Sequence, residues 1–264
     1  MTTQFRTRFG PWAVVTGASS GIGAAFARDL AARGVHVVLV SRRAGELEAL
    51  AAELARDHRV LTRVVALDLA DPAATSRLLE GTHDLDVGVV IASAGFGSCG
   101  RLLDRDIADE AEMVDVNCRA VLQLAHGFGR RLVARGRGAL VLLSSLVAFQ
   151  GAPFAANYAA TKAYVQTLAE GLQAELRPHG VQVIACAPGP VDTGFAARAR
   201  MAMGRALRPE VVARETLARL PGGGTVRPGL GRKALGFCLA TLPRALRVRV
   251  LGKVMAGFAR GTAR

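Results

Sequence analysis

Tyr158 and Lys162 stand four residues apart in a stretch, 156–177, that reads as a helix, so they share one face. A phenol ordinarily loses its proton near pH 10, and a neighbouring ammonium favours the phenolate. The pair therefore has the makings of a proton-transfer site. Composition sharpens this. Lysine occurs only at 162, 233 and 253 and tyrosine only at 158 and 164, while every other basic side chain apart from histidine is arginine. Arginine is bulkier and presents a planar fork, so a lysine at 162 in a chain that defaults to arginine reads as a chemical requirement. A second candidate is Gly17, Gly21 and Gly23, set between the apolar run 13–16 and an amphipathic stretch at about 22–33. In such a turn, backbone N–H groups and a helix N-terminus can approach a pyrophosphate where a side chain would block it. No Gly-Lys-Ser/Thr follows, so this is not a P-loop.

Placing these residues side by side needs a regular alternation of elements, and the sequence supplies one. Runs at 13–16, 35–40, 63–67, 87–92, 139–143 and 181–185 are apolar and β-prone; the stretches at about 22–33, 44–56, 72–80, 109–135 and 156–177 are helical. Nearly continuous apolar strands alternating with helices imply a parallel sheet covered on both faces, an α/β doubly wound fold. After Pro188 the rhythm fades. Residues 192–222 read as helical with small and basic side chains, Pro221-Gly222-Gly223-Gly224 as a break, and 231–260 as an apolar, basic segment split by Pro243. With 264 residues, 51% of them hydrophobic, the chain suits one core. The expectation is a single domain over 1–230 with a helical C-terminal extension over 231–264.

Taken together, these motifs resemble the short-chain dehydrogenase/reductase family over roughly residues 11–195. Thr16 to Gly23 match its T-G-x-x-x-G-x-G fingerprint, and Tyr158 with Lys162 its Y-x-x-x-K. The resemblance implies a Rossmann fold and a hydride transfer between a nicotinamide and a carbonyl or alcohol. It implies a catalytic set of Asn117, Ser145, Tyr158 and Lys162. Ser145, thirteen residues before Tyr158, would hold the carbonyl that Tyr158 protonates; Lys162 would donate to the ribose hydroxyls; Asn117 would hold a water in the proton relay. The implied cofactor contacts are Gly17, Ser19, Ser20, Gly21, Ile22 and Gly23 at the turn, Asp68 and Leu69 at the adenine, and Ala94 and Gly95 at the ribose. Tyr158 and Lys162 add to these, and Val191 and Thr193, from Pro188-Gly189-Pro190-Val191-Asp192-Thr193, would hold the carboxamide. One departure is Ala92-Ser93-Ala94-Gly95, which lacks both asparagines of the family's N-N-A-G. The end of the second strand, Val40-Ser41-Arg42-Arg43, offers no acid to a ribose 2′-hydroxyl but two guanidiniums to a 2′-phosphate, so NADP(H) is expected, with Arg42 preferred.

Substrate and partners are less sharply written. The loop 148–154 and the segment 192–222 are apolar and small, which suits a hydrophobic ketone, aldehyde or secondary alcohol; the pattern is similar to long-chain ketoacyl and steroid reductases. The alternative, a non-catalytic dinucleotide-binding regulator on the same fold, would be expected to have lost Tyr158 or Lys162. The family implies a homodimer or homotetramer through the helices at 109–135 and 156–177. The net charge is +13, of which residues 200–264 hold +12: fourteen Lys and Arg against Glu210 and Glu215. That segment has no interleaved aromatics and matches no nucleic-acid-binding module, so nucleic acid is not an expected partner. Within 234–258, Leu246, Val250, Val254 and Phe258 recur every four residues, on a face that Arg247 interrupts, while Arg249, Lys253 and, just beyond, Arg260 fall on another. Such a helix can lie on an anionic bilayer as a peripheral contact, or pack its apolar positions on the core or a partner subunit. Cys99, Cys118, Cys186 and Cys238 show no metal-ligand spacing, and no signal or spanning segment stands out, which fits a reduced, cytoplasmic protein without a metal site, membrane-associated only if that helix makes its contact.

Overall fold

The computed structural model describes residues 2–199, 201, 206–229 and 243–260. Seven parallel strands form one sheet in the order β3-β2-β1-β4-β5-β6-β7: β1 Trp12–Thr16, β2 His36–Ser41, β3 Thr62–Ala66, β4 Val87–Ala92, β5 Gly138–Leu143, β6 Val181–Cys186 and β7 Gly224–Val226. Side chains alternate between faces along each strand. Val15, Leu39, Ile91, Val141 and Ile184 face a layer built by α2 (Gly21–Ala32), α3 (Ala44–His58) and α9 (Pro209–Arg219). Val14, Val38, Val90, Leu140 and Val183 face the opposite layer, of α4 (Ala74–Glu80), α6 (Ala120–Arg135) and α7 (Ala156–Leu176). Both faces are therefore covered, as the unbroken apolar strands require, and the fold is doubly wound. Chain order reverses between β1 and β4, so a crevice opens there at the carboxyl ends of the strands, where this architecture binds its ligands.

The structure departs from the sequence reading in four places. A helix, α1 (Thr2–Phe9), precedes β1 and buries Phe9. The long helix expected at 109–135 begins two residues earlier as α5 (Ile107–Val114), capped by the Asp106 carboxylate, and passes through a π-turn, Asp115–Arg119, before α6. Segment 192–222 is not one helix: α8 (Phe195–Arg198) is a single turn, and Leu207 pairs with Val191 before α9 starts at Pro209. The glycine run read as a break leads into β7, because Gly223 and Gly224 take φ of +64° and +87° and swing the chain onto the edge of β6.

After Pro243 a helix runs over Arg244–Arg260. Leu246, Val250 and Val254 do share a face, and it is exposed, but Phe258 turns inward with Leu251 and Met255. The first part of the expected apolar, basic segment, 231–242, lies outside the described residues. Among the described residues no helix is long and apolar enough to cross a membrane.

Candidate active site

The glycine turn sits at the switch point. Gly17 (φ +67°) lies so close to the next strand's loop that a Cβ would fall 2.9 Å from the Ala94 nitrogen and Cα, and a Cβ on Gly21 (φ +55°) would meet Thr193 Cγ2 at 2.9 Å. Gly23 has no room either, since its Cβ would be 2.2 Å from the Gly17 carbonyl oxygen. Thr16, the last residue of β1, accepts from the backbone N–H groups of Ser93 and Ala94 at 3.1 Å each. A threonine on β1 thus fastens the β4 loop in the absence of the two asparagines. Ser20 stands at the N-cap of α2 but makes no capping bond, so the first-turn N–H groups keep no side-chain partner. Its hydroxyl instead accepts from Arg43 Nη2 at 2.9 Å, as does that of Ser19. A cradle of bare glycine backbone, unused helix-terminal donors and a guanidinium suits a diphosphate dinucleotide.

The two arginines divide their positions. Arg43, the less favoured on sequence, reaches the glycine turn through Ser19 and Ser20. Arg42 extends the other way, 3.5 Å from Asp68 and 3.5 Å from Glu112. Leu69 is buried beside Ala74 and Ala120, with Ala94 against the same cluster.

On the far side of the crevice the four proposed catalytic side chains are all buried; Asn117 is joined through Thr161 to the Tyr158 backbone, and Lys162 is held separately at the end of β5. Asn117, in the π-turn, donates to the Phe96 carbonyl (2.8 Å) and the Thr161 hydroxyl (3.0 Å) and accepts from the Phe96 N–H (3.1 Å). Thr161 in turn donates to the Tyr158 carbonyl. The π-turn brings Asn117 inward, and its side chain fixes both the β4 loop and the turn of α7 carrying Tyr158. Lys162 Nζ donates to the Leu143 carbonyl at the end of β5 (2.9 Å), and Ser144 Oγ donates to the Lys162 carbonyl. Ser145 opens the short helix Leu146–Phe149, and its hydroxyl accepts from the Val147 N–H at 3.4 Å. Gly95 packs against this network: a Cβ there would stand 2.8 Å from Asn117 Oδ1 and 3.3 Å from Lys162 Nζ. Gly95→Ala should therefore weaken dinucleotide binding and turnover together while the far-ultraviolet circular dichroism stays native; unchanged binding would remove Gly95 from the site.

Burial sets the protonation. Desolvation pushes the Tyr158 phenol up to about 12, Ser145 opposing, and draws the Lys162 ammonium down to about 8, with Cys118 and Cys186 opposing. This reverses the direction expected for Tyr158. The ammonium lies 5.9 Å from the phenol ring centroid, bound to a carbonyl, and removal from water outweighs its field. Tyr158 is thus held as an acid at neutral pH.

Sequence reasoning did not single out Phe195, whose ring centroid lies 5.4 Å from that of Tyr158, although 192–222 was read as pocket-lining. Nor did it find Thr161, or the bonding role of Thr16, which it named only as the start of the glycine fingerprint; both act through hydrogen bonds between distant segments. Around Tyr158 gather Phe96, Ala152, Ala155, Met201 and Met255, with Val147, Phe154, Phe195, Leu251 and Phe258 partly buried beside them. The C-terminal helix therefore packs on the tyrosine's own cluster, and its Gly252 lies against Pro153.

A dinucleotide cradle at the switch point facing a buried tyrosine and lysine defines a dehydrogenase-like Rossmann protein. The chain belongs to the short chain dehydrogenase family, whose model matches residues 11–204. It is similar to a 7beta-hydroxysteroid dehydrogenase of Clostridium sardiniense, 38% identical over 190 residues, 72% of this chain and 73% of the relative. It is also similar to a very-long-chain 3-oxoacyl-CoA reductase of Podospora anserina, 36% identical over 66% of this chain and 53% of that one. Among solved structures, one concerning 7beta-hydroxysteroid dehydrogenase stereoselectivity aligns with a TM-score of 0.87 at 28% identity, covering 94% of this chain and 98% of the other. A short-chain dehydrogenase from Sphingobium yanoikuyae in complex with NADPH aligns with a TM-score of 0.79 at 29% identity, over 89% and 97%.

Proposed function

We propose that the protein is an NADP(H)-dependent oxidoreductase that interconverts a bulky hydrophobic ketone and its secondary alcohol, with Asn117, Ser145, Tyr158 and Lys162 as the site. Bound NADPH supplies the hydride. Gly17, Gly21, Gly23 and the start of α2 hold the diphosphate, Arg42 and Arg43 take the 2′-phosphate side, and Val191 and Thr193 border the nicotinamide end. Tyr158 holds the proton destined for the carbonyl oxygen, Ser145 orients that oxygen, and Lys162 supplies positive charge beneath. Asn117 keeps the β4 loop and α7 in register. Retention of both Tyr158 and Lys162, buried side by side, disfavours a purely regulatory dinucleotide-binding protein.

The observation that carries the substrate class is the apolar, aromatic surround of Tyr158, closed on one side by Phe195 and on another by the C-terminal helix. Relatives acting on hydroxysteroids and long acyl chains fit the same reading. Consumption of NADPH should be screened over ketones of rising apolar size. kcat/KM is expected to climb with ring count or chain length; a preference for small polar ketones would overturn the assignment. Oligomerisation through α6 and α7 is supported by Leu122 and Tyr164, which stand exposed on these helices.

A further inference from the structure

Beside the cofactor crevice, charged side chains from four separate segments converge. Arg42 follows β2, Asp68 follows β3, Glu112 lies on α5, and Arg198 ends α8. The Glu112 Oε1 atom is shared by two guanidiniums, 3.5 Å from Arg42 Nη1 and 3.9 Å from Arg198 Nη2. Neither distance is that of a strong ion pair. The Arg198 guanidinium lies on the Phe96 ring, 3.9 Å from its centroid, next to Gly95 in the β4 loop. Burial and then the charge of Arg42 are the leading influences lowering its basicity, ahead of Glu112, Asp109 and Asp68, which oppose them. Two like charges are thus held close over the crevice with a carboxylate that serves both loosely. A multivalent anion satisfies two forks better than one shared carboxylate does.

We propose that Arg198 is a specificity-determining residue for the cofactor: with Arg42 it receives the 2′-phosphate, which replaces Glu112 between the two guanidiniums. The inference rests on the NADP(H) reading above. It also gives α8 a second duty. The same turn presents Phe195 to Tyr158 and Arg198 to the phosphate, so filling the phosphate site orders the element that covers the tyrosine.

The probes are adenosine 2′,5′-bisphosphate and 5′-AMP, titrated calorimetrically into the full chain, with no catalysis involved. The wild type should bind the bisphosphate more tightly than 5′-AMP. Arg198→Ala should cut that preference about tenfold, with 5′-AMP affinity unchanged. Glu112→Gln should move it the other way, about twofold to fivefold, by removing the competing carboxylate. Opposite movements in the two variants are not produced by general loosening of the fold. Hydrogen exchange at 195–199 should slow with the bisphosphate in the wild type and not in Arg198→Ala. An unchanged preference in Arg198→Ala, or equal losses for both ligands, overturns the role of Arg198 while leaving NADP(H) use intact. A wild type that binds the two ligands equally overturns the 2′-phosphate reading itself, and this inference with it.

Discussion

Tyr158→Phe is expected to lower turnover by about 10²–10⁴-fold while leaving NADPH affinity within roughly twofold, the range over which a single general acid acts. The substitution is confined to one oxygen. The ring keeps its contact with Phe195 and its fit against Gly97, where a Cβ would come within 2.9 Å of the Tyr158 ring. Asn117 and Thr161 bind the backbone around Tyr158 and not its hydroxyl, so the network survives. What is lost is a proton held by a group whose surroundings push it up to about 12, a phenol protonated at every physiological pH. Ser145 can orient a carbonyl, but its hydroxyl is a far weaker acid. Single-turnover hydride transfer, followed by the loss of NADPH absorbance, separates chemistry from binding. Turnover within tenfold of wild type would mean that another group delivers the proton.

Tyr158 and Lys162 were legible because the chain spends tyrosine and lysine so rarely and because four-residue spacing on a helix fixes a common face. The doubly wound sheet was legible for a related reason: strands buried on both faces must be apolar at every position, and the runs at 35–40, 87–92 and 139–143 are. Conformation imposed by distant partners was hidden. The π-turn that carries Asn117 inward shows no local signal, because it is specified by the Phe96 backbone and Thr161, 21 residues before and 44 residues after. Arg42 and Arg43 are adjacent and chemically identical, and their different partners arise only from the positions of Ser19, Ser20, Asp68 and Glu112. β7 was read as a break because glycines that serve a turn and glycines that open an edge strand look alike in sequence. The basic C-terminal helix was periodic enough to recognise, yet periodicity alone did not say which stripe faced the protein; the stripe of Leu251, Met255 and Phe258 does.

Lys162→Met is expected to lower turnover on the order of 10²–10³-fold, the usual cost of removing a preorganised charge, and to change the pH dependence of stability in a defined direction. Lys162 is buried, and desolvation draws its ammonium down to about 8 from an ordinary value near 10.5. Below about pH 8 both the folded and unfolded chains carry the proton, and the folded state bears the full desolvation cost. Between about 8 and 10.5 the folded lysine releases its proton while the unfolded one keeps it, so wild-type stability rises with pH across that window. At about 1.4 kcal/mol per pH unit the gain amounts to roughly 3 kcal/mol at most. Tyr158 acts in the opposite sense only above about pH 10, where the unfolded phenol ionises first and the folded one, held near 12, does not. Methionine fills similar volume with no charge to desolvate, but it strands the Leu143 carbonyl that Nζ now satisfies, at about 1–3 kcal/mol. That second cost does not vary with pH. The stability difference, Met variant minus wild type, should therefore be most favourable to the variant at pH 7 and should fall steadily between pH 8 and 10. Denaturant titrations at half-unit intervals would measure it; a difference that stays flat across the window would show that the lysine is not desolvated as its surroundings require.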